Sequence, residues 1–243
     1  MKDNHPNQSL QKIAGGVSVV LPALNEQDNI QDAVLDAKAA LARFAEHYEI
    51  IIVDDGSTDR TAEIAEQMAR NDPGIRLVRH EKNLGYGAAL AHGFKAARLA
   101  WIFFTDADRQ FRMAEIEKLV PFLAESKMVV GFREKRQDPL LRKIYGAVFS
   151  RLVNFLFGLA GKDTNCAFKI FERSIIAGYE FQSPGALVNA ELLALAKSKG
   201  IEPVQVPVSH FPRRAGSQTG GSLRVVVRAA RELCHLYFHR PGP

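Results

Sequence analysis

Cysteine is scarce in this chain of 243 residues, which carries only Cys166 and Cys234. Two thiols so far apart, with no secretory leader before them, exclude a disulfide-stapled extracellular scaffold and read as reduced thiols of the cytoplasm. Long apolar runs are also missing. No window approaches the ~18 consecutive apolar residues that span a bilayer, so any membrane contact is expected to be peripheral. Residues 1–15 are polar, without an apolar core of signal-peptide length, and read as a disordered lead-in. Aromatic residues make up 9% of the chain. They are not interleaved with the basic clusters as single-strand binders require, so no nucleic-acid partner is expected.

What is present suits one packed domain: 47% hydrophobic and 24% charged residues, in a length that supports a single large core. The formal net charge of +5 favours an anionic partner. Its position narrows the choice, because Arg and Lys are dense from Arg133 to Arg151 and from Arg213 to Arg240, while Val17 to Asp72 is mixed or acidic.

Val17 to Leu21 is a β-branched run ended by Pro22, and Ile30, Val34, Ala37, Leu41 and Phe44 follow at helical spacing. The pattern repeats. Strands are predicted at Ile50 to Val53, Ile75 to Val78, Trp101 to Thr105 and Met128 to Gly131; helices at Thr61 to Ala69, Ala88 to Ala97 and about Met113 to Ala124. The regularity then loosens into a helix from Arg142 to Phe157, a strand from Cys166 to Phe171, a helix from Ala190 to Ser198 and a strand from Val204 to Val208. Alternating strands and helices predict an α/β fold, a mostly parallel sheet with helices on both faces. Residues 16–221 are read as one catalytic domain and 222–243 as a C-terminal amphipathic helix. In that helix Val225, Val226, Ala229, Leu233 and Leu236 share a face suited either to an anionic membrane surface or to packing on protein.

Ligands of such sheets bind beyond the carboxyl ends of the strands. That rule brings Pro22 to Glu26, Asp54-Asp55, and Asp106 to Gln110 to one rim. Asp106 and Asp108 are alternate residues leaving an apolar strand, so their carboxylates face one point. Mg²⁺ or Mn²⁺ accepts one or two carboxylates together with substrate phosphate oxygens, and Gln110 can add an amide oxygen. A solvated loop capping the next helix is the alternative reading of the same three residues. At Asp54 to Asp59, Gly56 supplies an unusual φ and Ser57 or Thr58 an N-cap, while the paired carboxylates suit nucleoside hydroxyls and base N–H groups. Asn83 to Ala89 has half of a dinucleotide fingerprint, and a tight turn into a closely packed helix explains its glycines equally well.

Taken in order, LPALNEQDNI (Leu21 to Ile30), IIVDDGSTDRT (Ile51 to Thr61), NLGYGAAL (Asn83 to Leu90) and TDADRQF (Thr105 to Phe111) resemble the inverting glycosyltransferases of family 2. GFR at Gly131, DTNCAFKIF at Asp163 and HFPRRAGS at His210 are similar to its branch of polyprenyl-phosphate sugar synthases. The resemblance implies a GT-A, nucleotide-sugar-binding form of the Rossmann-like sheet. It implies a nucleoside site at Pro22, Asn25, Glu26, Asp54, Asp55 and Asp106, and a metal at Asp106, Asp108 and Gln110. Arg133, Arg142 and Arg213 would face phosphate groups, and Asp106, Asp108 and Arg213 would be catalytic. Arg109, Phe111 and Gly146 depart from the branch's pattern on the acceptor side. The expected activity is transfer of a hexose from a GDP- or UDP-sugar to a polyprenyl phosphate, dolichyl or undecaprenyl, at the inner face of the membrane. Another lipid or a glycan is the alternative acceptor, and a nicotinamide-dependent oxidoreductase is the alternative from outside the family.

Overall fold

The computed structural model describes residues 12–134, 140–213 and 232–233, with the side chains of 140–145 left out. Expectations for residues 1–11, for the helix at 222–243 apart from Glu232 and Leu233, and for the Arg142 side chain lie outside the described residues. Within the expected lead-in, Ile13 is buried and its N–H donates to the Phe44 carbonyl at 2.6 Å, so packed chain begins before residue 16.

Seven strands form one sheet in the order β3-β2-β1-β4-β6-β5-β7. They are β1 (Val17–Ala23), β2 (Tyr48–Asp54), β3 (Ile75–Arg79), β4 (Trp101–Thr105), β5 (Met128–Arg133), β6 (Phe168–Glu172) and β7 (Val204–Val208). The apolar runs of β1, β2 and β4 are buried on both faces, as a sheet covered by helices on both sides demands. The helices are α1 (Ile30–Phe44), α2 (Thr61–Asn71), α3 (Tyr86–Ala96), α4 (Leu140–Phe157) and α5 (Val188–Ser198). α1 packs against α2, and α3 against α5 as well as β1 and β2. In α1 the buried residues Ile30, Ala33, Val34, Ala37, Ala40, Leu41 and Phe44 make the stripe read from the sequence.

Four details differ from expectation. Pro22 lies inside β1 rather than ending it, tolerated because the ladder with β4 already stops at Val20↔Phe104. The segment from Met113 to Ala124 is two 3₁₀ turns, Met113–Lys118 and Val120–Ala124, instead of one helix. Pro121 has no N–H to donate and its ring excludes the carbonyl four residues back, which breaks the helix there. The N-cap of α2 is Arg60, and the turn before it is held by Asp59, whose carboxylate accepts from the N–H and hydroxyl of Thr61, rather than by Ser57 or Thr58. Finally, β6 runs antiparallel to β4 and β5. The chain leaves β5 at the rim, passes through α4, and is back at the same rim when Asp163 pairs with Arg133, so β6 must descend.

Because β1, β2, β4, β5 and β7 all run in one sense, their carboxyl ends meet along one edge. The strand order reverses direction between β1 and β4, which opens a crevice at that edge.

Candidate active site

The loop after β1 and the loop after β2 are laced together. Asn25 adopts φ 56°, a left-handed conformation that a non-glycine residue holds only when its surroundings fix it. Here its N–H donates to Ser57 Oγ at 2.9 Å and its Oδ1 accepts from the Thr58 N–H at 2.9 Å. Gly56, at φ 73°, makes the turn between them, as expected. The Glu26 N–H donates to Thr61 Oγ1 at 2.8 Å, tying the same loop to the first turn of α2.

Asp55 is 3% exposed and its carboxylate is engaged by protein. It accepts the Leu84 N–H at 2.8 Å and the Gly85 N–H at 2.9 Å, and meets His80 Nδ1 at 2.7 Å. His80 Nε2 in turn lies 2.7 Å from His92 Nδ1, a relay the sequence did not suggest. Asp54 is fully buried, with Oδ1 accepting from the Ser57 N–H at 3.3 Å and Oδ2 lacking a hydrogen-bond partner. Both carboxylates therefore lie deeper than a solvent-facing rim, and Pro22 is buried beside them in β1.

The fingerprint-like loop is explained without a cofactor. The Leu84 and Gly85 N–H groups are spent on Asp55, and those of Gly87 and Ala88 point to the Pro184 carbonyl at 2.9 and 3.4 Å. A Cβ on Gly87 would lie 2.1 Å from the Ser183 carbonyl oxygen, so the glycine is there to let α3 approach that segment. No bank of open N–H groups remains to cradle a pyrophosphate, which removes the basis for the nicotinamide reading.

At the end of β4 the Asp106 Oδ1 is shut off from solvent and has no hydrogen-bond partner. Burial, and then the neighbouring charge of Asp108, push the Asp106 carboxyl up to about 7. Tyr86 adjoins this carboxyl and opposes the rise, and its own phenol is raised by burial and by Asp106. Asp108 Oδ1 accepts from the Gln110 N–H at 3.1 Å, and its Oδ2 lies 3.7 Å from Arg213 Nη1. Arg213 also pairs with Glu26, whose carboxyl is raised by burial against the opposing effects of Asn29 and Arg213. Glu26, Asp108 and Arg213, from three distant stretches of chain, thus meet; the rim rule brings the first two together, and Arg213 faces these carboxylates here. Gln110 donates its side-chain amide to the Phe211 carbonyl at 3.1 Å, so its amide oxygen is the atom that could face a cation.

Among the described residues no group of three or more His, Cys, Asp or Glu is placed to hold a metal ion. The Asp106–Asp108 pair still fits a divalent cation that takes its remaining ligands from substrate and water. A buried, unpartnered carboxylate oxygen beside a second carboxylate is an arrangement that such a cation relieves.

Arg133 forms a bidentate pair with Asp163, Nε to Oδ2 at 2.6 Å and Nη2 to Oδ1 at 2.8 Å. It faces a carboxylate, and the pair fastens the end of β5 to the loop before β6. Arg109, at φ 59°, turns away from the rim to Asp32 and Asp36 of α1, the latter at 3.0 Å. Phe111 packs on Phe168 and His210 with ring centroids 5.5 and 5.4 Å away. These two departures from the branch's pattern are thereby accounted for by packing.

Sequence reasoning missed Lys169, Tyr86 and Asn189. Lys169 is completely buried in β6, drawn down to about 8 by burial, and donates to the Thr164 and Cys166 carbonyls and to Asn189 Oδ1. The signal was a lysine inside the apolar run CAFKIF, where an unpaired charge is not tolerated. Tyr86 was visible as part of the NLGYG loop, whereas nothing marked Asn189.

The comparisons with known proteins agree with this geometry. Residues 18–178 match the model of glycosyl transferase family 2. The chain belongs to that family. It is 31% identical over 213 residues to the undecaprenyl-phosphate 4-deoxy-4-formamido-L-arabinose transferase of Edwardsiella ictaluri, covering 86% of this chain and 64% of that protein. It is 36% identical over 210 residues to the dolichyl-phosphate beta-glucosyltransferase ALG5C of Trichomonas vaginalis, covering 78% of this chain and 62% of that one. The chain thus spans somewhat under two thirds of the length of these relatives. Its fold is that of the glucosyl-3-phosphoglycerate synthase of Mycobacterium tuberculosis in complex with Mn²⁺, UDP and glucosyl-3-phosphoglycerate. The TM-score is 0.67 at 24% identity, over 90% of this chain and 80% of that one. The expected GT-A, mostly parallel α/β architecture is therefore present in this member of the family.

Proposed function

We propose that the protein transfers a sugar from a nucleoside diphosphate sugar to a polyprenyl phosphate, with inversion at the anomeric carbon. The observation that carries the proposal is the unpartnered, buried Asp106 Oδ1 beside Asp108, at the rim where Glu26 and Arg213 also converge. Asp106, Asp108 and the Gln110 oxygen would hold Mg²⁺ or Mn²⁺, which when bound neutralises charge on the departing diphosphate. The Mn²⁺–UDP complex of the fold's relative supports that assignment.

The chain's own residues do the rest. Asn25 and Asp55 fix the two loops that would flank the nucleoside, Asp55 acting through the Leu84-Gly85 backbone it holds. Asp54, whose Oδ2 accepts no hydrogen bond and lies 3.8 Å from Arg79 Nε, is the deeper candidate for a nucleoside contact. Arg213 would exchange its carboxylate partners for phosphate oxygens, a match its planar fork makes well. Arg133 would keep the acceptor side rigid through Asp163, with Arg142 as a further phosphate contact. A phosphate monoester is already an anionic nucleophile and needs no general base.

The acceptor assignment draws support from the undecaprenyl- and dolichyl-phosphate enzymes among the relatives. Their sugars, a formamido-arabinose and glucose, leave both a pentose and the expected hexose to be assayed. Peripheral membrane contact at the inner face draws support from α4, which exposes Val148, Leu152 and Phe155 on successive turns. α4 contains Arg142, Lys143 and Arg151 and no acidic residue, a combination suited to an anionic surface. No described helix is long and apolar enough to cross a membrane.

The test is calorimetric titration of the full chain with UDP and GDP, each with and without Mn²⁺, followed by a product assay on a short polyprenyl phosphate. Metal-dependent binding of one nucleotide and formation of the phosphodiester product are expected. Nucleotide affinity indifferent to Mn²⁺ and to chelator would overturn the metal assignment.

A further inference from the structure

Beneath the Asp106-Ala107-Asp108 turn lies a charge for which the proposed transfer has no use. Lys169 stands in β6 opposite Phe104 of β4 and exposes none of its surface. An ammonium persists in such a place only when its donors are taken up. Its Nζ donates to the Thr164 carbonyl at 3.1 Å, to the Cys166 carbonyl, and to Asn189 Oδ1 at 2.7 Å. Three N–H donors meet three acceptors, with the Phe104 ring 5.4 Å away.

Each acceptor leads to a different part of the site. Thr164 and Cys166 follow Asp163 in the loop whose carboxylate grips Arg133, and the Cys166 N–H closes that loop on the Asp163 carbonyl at 3.1 Å. Asn189, projecting from α5, and Asp106, at the end of β4, both adjoin the Tyr86 hydroxyl closely enough to shift its titration. One buried cation therefore joins the phosphate-side arginine to the carboxylate at the end of β4.

We infer that Lys169 is a positioning residue for both halves of the site: its ammonium fixes the loop that carries Asp163 and hence Arg133, and through Asn189 and Tyr86 it orients the Asp106 carboxylate toward a divalent cation. The inference rests on the reading of Asp106 and Asp108 as metal-holding residues. It adds a direction that through-space electrostatics does not give. Removing a nearby positive charge would by itself tighten cation binding, whereas removing the positioning group loosens it.

The experiment measures Mn²⁺ binding to the full chain by electron paramagnetic resonance without nucleotide, together with amide hydrogen exchange of the metal-free protein. Lys169→Met, Asn189→Ala and Tyr86→Phe are compared with wild type. All three should weaken Mn²⁺ binding by about tenfold or more, the usual effect of losing a group that orients a ligand. Lys169→Met should also raise exchange at residues 163–167, while Tyr86→Phe, which cuts only the branch to Asp106, should not. Unchanged or tighter Mn²⁺ binding in both Lys169→Met and Asn189→Ala, with wild type binding normally, overturns this inference and leaves the metal assignment standing. Absence of Mn²⁺ binding by wild type overturns both. If Lys169→Met does not fold, unchanged binding in both Asn189→Ala and Tyr86→Phe overturns the positioning role.

Discussion

Arg213 Nη1 lies 3.7 Å from Asp108 Oδ2 while the same guanidinium pairs with Glu26, so one cation bridges two carboxylates from different rim loops. An incoming divalent cation held by Asp108 would compete with Arg213 for that carboxylate. Arg213→Ala is expected to tighten Mn²⁺ binding severalfold and yet lower kcat by about 10²-fold or more, the scale seen when a donor to a developing negative charge is lost. Mn²⁺ titration and steady-state kinetics on the same variant check both signs. Asp108→Asn should abolish turnover and its metal dependence together.

Asp55→Asn tests the seam between β2 and α3. The carboxylate accepts from Leu84 N–H and Gly85 N–H through different oxygens, so an amide there must turn its NH₂ toward an N–H. A buried donor left facing a donor costs about 1–3 kcal/mol. Urea denaturation should show that loss, and nucleotide affinity should fall with it because the loop at Asn83 to Gly85 is released.

How much of this was legible follows from where the information resides. The strands and the meeting of Glu26 with Asp108 could be anticipated, because apolar periodicity and the rule of carboxyl-end loops act locally and topologically, while Arg213 entered only through the family resemblance. The descent of β6 could not, since it depends on Arg133 finding Asp163 across a connection that includes α4. Nor could the engagement of Asp55: two adjacent carboxylates look alike in sequence, and only the packing of the loop before α3 assigns one to the Leu84 and Gly85 N–H groups and leaves the other facing Ser57 and Arg79. Pro121 was the exception, a local signal of a broken helix that the periodicity of its neighbours obscured.

Glu49 should make stability depend on pH at the opposite edge of the sheet. Burial alone would raise its carboxyl, but hydrogen bonds from Ser18, Arg76 and the Arg98 N–H outweigh that and hold it below its ordinary value. Because the folded value lies below the unfolded one, the stabilisation is complete above the unfolded pKa and is lost as pH falls through the folded pKa. The difference in urea midpoint between wild type and Glu49→Gln should therefore be largest near pH 7 and shrink toward pH 3. A constant difference would mean that the carboxylate's charge contributes nothing.

The exposed stripe on α4 yields the last prediction. Phe155 is 84% exposed, Val148 56% and Leu152 44%, while the inner face of the helix packs Val153 and Phe157 against Leu187, Ala190 and Ala194. Replacing Leu152 and Phe155 by Ser should leave thermal stability within about 0.5 kcal/mol of wild type, because neither side chain fills the core. If α4 rests on a bilayer, each large apolar side chain contributes up to about 1.5–3 kcal/mol of burial, so the double variant should bind anionic vesicles at least about tenfold more weakly. Cosedimentation with phosphatidylglycerol-rich liposomes at low and high salt measures it. Sedimentation unchanged by the double substitution would remove α4 from the membrane contact. A wild-type dimer that the substitution dissociates would instead make this face a protein interface.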